Sequence, residues 1–239
     1  MTPPRESVNH QAEIDKIARQ LVETTSKLFD DTPDMISRTT IPDDAPVLGR
    51  LRGAQRELEA LGFDRLGDYA PCAERGLAGE AFTRMLLRKD GTVFAKLFRA
   101  PGGAADEPPV EAVILGTRFG DESSLCTLRG FPARFPEAPQ FQEWYVDDDM
   151  PVGRMVREHD LRCAATGSRP IPFADVEDIL GYLQKQDAIT RAWRRNLGVH
   201  FYELFMRRLT GDRYDLAGAP LVESIRAHPW WLKNLLPAG

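Results

Sequence analysis

His159 and Cys163 lie four residues apart, flanked by Glu158 and Asp160. On a helix that spacing places imidazole and thiol on one face, together with Met155. An imidazole that lowers a neighbouring thiol's pKa yields a nucleophile, so a pocket around His159 and Cys163, with Asp160 in reach, is the constellation best suited to catalysis or ligand binding. No cysteine-hydrolase pattern accompanies the pair, and a histidine packed into the core is the stronger expectation. His-x3-Cys supplies only two metal ligands and the chain offers no obvious second pair, so no metal site is expected. The triplet Asp147-Asp148-Asp149 precedes Met150-Pro151 and is read as a helix cap rather than a cation site. Neither Gly-x-Ser-x-Gly nor His-Glu-x-x-His occurs, and Pro101-Gly102-Gly103 is followed by no phosphate-cradling helix. The balance is against an enzyme, and no cofactor is expected.

A second constellation is basic. Arg191, Arg194, Arg195, Arg207 and Arg208 alternate with Trp193, Phe201, Tyr202, Phe205 and Tyr214. Arginines with interleaved aromatics pair with phosphates and stack on bases, so Arg191–Tyr214 is a candidate contact for a polyanion, nucleic acid included. The net charge of −5 disfavours general nucleic-acid binding, and an amphipathic helix with solvated arginines opposite a buried aromatic stripe explains the same pattern. Trp230 and Trp231 near the C-terminus are a partner anchor, a membrane-interface wedge or, the stronger expectation, part of the packing on the preceding helices.

These residues need elements to hold them. Phe82 to Arg88 and Val93 to Phe98 alternate apolar and polar around Asp90-Gly91, a strong hairpin signal through a turn of positive φ. Val113 to Phe119 and Ser124 to Leu128 form a second such pair around Gly120–Ser123, and Phe141 to Val146 adds a fifth strand. The expected fold is α+β: an antiparallel four- to five-stranded meander between about Phe63 and Val146, covered by helices over Pro151–Ala165 and Asp175–Leu209. An N-terminal helix, Val8 to Phe29, carries Ile14, Ile17, Leu21 and Leu28 at helical spacing, and Asp30 to Val47 reads as a connector. A second helix, Leu48 to Leu61, stops at Gly62. The Pro-punctuated segment 130–140 is read as extended, with its phenylalanines tucked against the sheet. This gives three regions: 1–47, helix and connector; 48–170, the α+β core; and 171–239, a helical region packed on that core.

Leu61-Gly62-Phe63-Asp64-Arg65-Leu66-Gly67-Asp68-Tyr69, the Asp90-Gly91-Thr92 turn and the later His159-bearing helix together resemble a diffuse group of uncharacterised bacterial α+β proteins. The resemblance spans roughly Leu58 to Arg195 and implies a small α+β domain, with no catalytic residue to carry over.

Three cysteines, Cys72, Cys126 and Cys163, without close spacing suit reduced thiols. No run approaches the roughly 18 consecutive apolar residues of a membrane span, and the first residues lack a signal-peptide core, so a cytoplasmic protein is expected. The reading that follows is a non-enzymatic interaction module, an accessory or regulatory subunit of a bacterial assembly, meeting a protein partner or a second copy of itself.

Overall fold

Seven strands form one sheet in the computed structural model, against the four or five expected: β1 (Ile36–Thr39), β2 (Phe63–Pro71), β3 (Phe82–Arg88), β4 (Phe94–Ala100), β5 (Val110–Arg118), β6 (Ser124–Arg129) and β7 (Phe141–Tyr145), neighbours in space as in sequence. The structure describes residues 5–25, 36–71, 81–102, 107–131 and 135–227. Pairing is antiparallel from β1 to β6, but β7 runs parallel to β6, because residues 130–140 cross back to the other end of the sheet before β7 begins. The first hairpin is not a two-residue turn of paired positive φ values. Among its loop residues only Gly91 is left-handed, at φ 74°, and the Asp90 carboxylate closes the loop by accepting from Thr92 N at 2.9 Å and Thr92 Oγ1 at 2.8 Å.

The two strands missed in the sequence flank the first hairpin. β1 lies inside the stretch read as a connector and pairs with β2. In β2 the alternation is broken at Leu66, an extra residue between the Arg65–Leu86 and Gly67–Met85 pairs. Phe63 and Arg65 lie on one face, so without this bulge Asp68 would fall on the other; with it, Asp68 stands opposite Arg84. Arg84 is wholly buried, and all of its guanidinium donors are used. Nε donates to Asp68 Oδ1 at 2.7 Å, Nη1 to Gln55 Oε1 at 2.5 Å and Asp43 Oδ1 at 2.7 Å, and Nη2 to Ile41 O at 2.6 Å and Asp68 Oδ2 at 3.1 Å. One side chain thus joins β2, β3, the Ile41–Asp43 segment and helix α2 (Leu51–Ala60).

The chain divides into two units. The first, residues 34–133 and 139–185, holds the sheet. On one face, α2 and α3 (Val152–Ala165) close a core of Leu51, Leu58, Leu86, Leu97, Leu115, Met155 and their neighbours. On the other, Tyr69, Met85 and Phe94 meet Phe173 and the first turns of α4 (Val176–Leu197). The aspartate triplet does not cap α3: Pro151 stands at its N-cap without a side-chain bond, and Glu57 of α2 accepts from Gly153 N at 3.3 Å instead. Asp148 accepts from Gly130 N at 3.1 Å.

The second unit, residues 1–33, 134–138 and 186–239, takes segments from both ends of the chain. α1 (Arg5–Thr25) packs on α6 (Ala219–Ala227), with Ala18 and Val22 buried beside Phe201, Tyr202 and Phe205 of α5 (Val199–Thr210). Of the stripe Ile14, Ile17, Leu21 and Leu28, Leu21 packs against this core, Ile14 is half-buried, Ile17 stays exposed and Leu28 lies outside the described residues. Gly198, at φ 55°, separates α4 from α5. Phe135 stacks on Phe205 at 4.9 Å rather than on the sheet, while Phe131 does reach Phe98 of β4, centroids 6.0 Å apart.

Replacing Arg84 by Met leaves the buried Asp68 carboxylate with Arg65 as its one guanidinium partner and should cost roughly 3 kcal/mol of unfolding free energy, the low end for breaking a buried pair, whereas the double change Arg84→Met with Asp68→Leu should recover much of it. Urea denaturation of the three proteins reads this directly; a single variant within about 1 kcal/mol of the parent contradicts it.

Candidate functional site

α3 carries two sets of side chains with opposite fates. Met155, His159 and Cys163 follow at four-residue steps and face inward, as the spacing predicts. His159 is fully buried, with Nε2 3.0 Å from Thr117 Oγ1 of β5 and Nδ1 2.9 Å from Thr127 Oγ1 of β6. Thr117 donates its one hydroxyl proton to Thr92 O at 3.1 Å, so it accepts from Nε2–H, and Thr127 donates to Nδ1. Both ring nitrogens are satisfied by this arrangement. Burial lowers the His159 pKa to about 4, against an opposing pull from Asp160 and with a smaller push from Arg88. Burial likewise raises the Cys163 thiol, so the pair is a neutral imidazole and a protonated thiol at neutral pH. Asp160 points the other way and holds Arg88 at 2.7 Å. The catalytic triplet His159, Cys163 and Asp160 is not brought together on a reachable surface.

The outer side of the same helix borders a cleft of about 530 Å³, lined by Asp121, Ser123 and Leu125, by Gln142, Glu143 and Trp144 of β7, and by Arg162, Ala165, Thr166 and Ser168 at the end of α3 and just beyond. The β6–β7 register sets Gln142 beside Leu125 and Trp144 beside Thr127, so both point to the α3 side. The Trp144 ring is 45% exposed and carries the Arg162 guanidinium 3.3 Å above its centroid. Beyond that stack Arg162 reaches Glu158 at 3.7 Å, an ionic contact too long for a hydrogen bond. Its Nε is buried without an acceptor among the described residues. Asp121, by contrast, is saturated: Ser123 N and Oγ donate to one oxygen at 3.1 and 2.5 Å, and Ser168 Oγ to the other at 2.9 Å. Those bonds hold its carboxyl below the usual range. The cleft thus presents a guanidinium stacked on a half-exposed indole, with the Gln142 amide and the apolar Leu125 and Ala165 beside them.

The arginine-rich segment is divided: Arg191 and Arg194 are buried, while Arg207 and Arg208 stay exposed. Arg191 is buried against Asp187 at 2.5 Å, and Arg194 is buried with Nε on Pro136 O at 3.0 Å and Nη2 on Glu137. Arg195 is half-buried, Arg207 pairs with Glu203 at 3.0 Å and covers Tyr214, and Arg208 donates to Phe135 O at 3.0 Å. These arginines pin residues 135–137 onto α4 and α5. Trp230, Trp231 and Cys72 lie outside the described residues. Among those described, no group of three or more His, Cys, Asp and Glu side chains is placed to hold a metal ion, and no helix is long and apolar enough to cross a membrane.

No protein family, curated protein or solved structure matches this chain. Sequence reasoning missed Trp144 and Arg162, which are 18 residues apart with no pattern linking them. The available signal was an outward tryptophan on an alternating strand, Phe141-Gln142-Glu143-Trp144-Tyr145.

His159 also fixes a pH response. Its folded pKa of about 4 lies below the ordinary 6.5, so between those values the unfolded chain binds a proton that the folded chain refuses. Stability should therefore rise with pH across that window and fall by roughly 3 kcal/mol as pH drops through it. Denaturation at a series of pH values checks this: His159→Asn should flatten the profile, and an unchanged slope in that variant contradicts the assignment.

Proposed function

We propose that this chain is a non-enzymatic, cytoplasmic protein-interaction module, an accessory or regulatory subunit of a bacterial assembly, and that it meets its partner at the cleft between β7 and α3. The observation that supports this reading is the Trp144–Arg162 stack. Tryptophan and arginine are the residues on which interface energy concentrates, and here they stand together, partly exposed, in the lining of one cleft. The residue pair best equipped for catalysis points away from this opening, its imidazole tied on both sides. A second reading, a small-ligand binder, draws support from the cleft's size of about 530 Å³, within the usual range for such sites.

A photo-crosslinking amino acid placed at Trp144 in the producing cells should give a discrete protein adduct, absent when the same residue replaces exposed Leu61 on α2's far end. No adduct, or the same adducts from both positions, contradicts the interaction reading. Native mass spectrometry showing a retained small molecule instead moves the assignment to the second reading.

A further inference from the structure

We infer that Lys96 of β4 is a covalent ligand site, whose amine condenses with a small uncharged aldehyde or ketone to an imine on the sheet face that carries Met85 and Phe94. The site is separate from the β7–α3 cleft and goes beyond the interaction reading above. Strand register gathers its groups. Lys96 pairs with Met85 of β3 on one side and Ile114 of β5 on the other, both buried, and Leu128 of β6 continues the row. In the neighbouring row Phe94 stands beside Gly116, Gly116 beside Cys126 and Cys126 beside Glu143. That thiol and that carboxylate are the groups whose charge reaches the Lys96 amine.

Lysine is seldom drawn into such a row without a carboxylate to hold it. Lys96 is half-buried, yet no hydrogen bond or ion pair holds its amine among the described residues, whereas exposed Lys185 reaches Glu122 at 3.0 Å. Burial pushes the amine below the ordinary lysine value, and the attraction of Cys126 and Glu143 opposes that push without cancelling it. More of the amine is then unprotonated, and a desolvated lysine with a free lone pair is the form that attacks a carbonyl carbon. Tyr182 of α4 sets its buried hydroxyl beside Ser124 and the same Cys126 thiol, and burial keeps that hydroxyl protonated, a donor for a carbonyl oxygen. The condensation balances without a further reactant: Nζ adds to the carbonyl carbon, the C–O bond breaks as the C=N bond forms, and both nitrogen protons leave with the oxygen as water. Glu143 repels a carbonyl compound that carries negative charge, and Met85, Ile114 and Leu128 suit an apolar one.

The test treats the full-length protein with butanal and cyanoborohydride at neutral pH, so that each imine is fixed as an N-butyl amine, and peptide mass spectrometry then reads the six lysines separately. Lys96 should be alkylated about tenfold faster than exposed Lys89 and Lys185, and urea should abolish the difference. Glyoxylate, an anionic aldehyde, should label Lys96 several-fold more slowly than butanal does. Lys96→Met should remove the fast modification from the intact mass; if that variant does not fold, the ranking of lysines in the parent protein decides alone. A Lys96 rate no greater than that of Lys89 or Lys185 overturns the assignment, as does an advantage that survives in urea. Glyoxylate that labels Lys96 as fast as butanal overturns the uncharged ligand class.

Discussion

A guanidinium in a protein core is tolerated only where every donor finds an acceptor, and the sheet-bearing unit is arranged around one such case. Arg84 binds Asp68, Gln55, Asp43 and the Ile41 carbonyl at once. Arg65 shares three of these acceptors, reaching Asp68 at 2.5 Å, Asp43 at 2.8 Å and the Ile41 carbonyl at 3.1 Å, so the site balances two arginines with two aspartates. The consequences run outward. Gln55 fixes the rotation of α2 about its axis, which turns Leu51, Ala54 and Leu58 onto the sheet. The same helix presents Glu57 to the first amides of α3, and α3 carries His159 inward and Arg162 to the rim. A buried charge at one end of the sheet thereby positions a guanidinium at the other.

The contrast between His159 and Arg162, three residues apart on one helix, carries the functional reading. His159 has threonines on both sides and no route to solvent, and its chemistry has been exchanged for the alignment of β5 and β6 beneath α3. Arg162 stacks on Trp144 in the lining of the cleft and keeps Glu158 at 3.7 Å. Polar groups satisfied on all sides specify a fold, whereas an arginine and a tryptophan left partly exposed together suit a partner surface.

Much of the sheet was legible in the sequence because its pairings are local. The strands from Phe82 to Arg129 alternate cleanly and are joined by short loops, and they pair as hairpins. β2 was obscured by the bulge at Leu66, which breaks the two-residue period at the position where Asp68 must change face. β1 spans only Ile36–Thr39, too short to show a period, and the parallel placement of β7 depends on where residues 130–140 lead the chain. The spacing of Arg191, Arg194 and Arg195 did indicate a helix, but periodicity does not say which side is covered: Arg194 is held by Pro136 and Glu137, and Arg191 is buried beside Asp187. The cleft draws on segments around 121–125, 142–144 and 162–168, a convergence that only the folded sheet creates.

The most direct measurement is hydrogen exchange at the arginine side chains, read from the ¹⁵Nε–¹H spectrum. The account predicts that the Arg84 Nε–H, buried and bonded to Asp68, exchanges only as the sheet-bearing unit unfolds. An Arg84 Nε–H that exchanges as fast as that of the exposed Arg154 would contradict it.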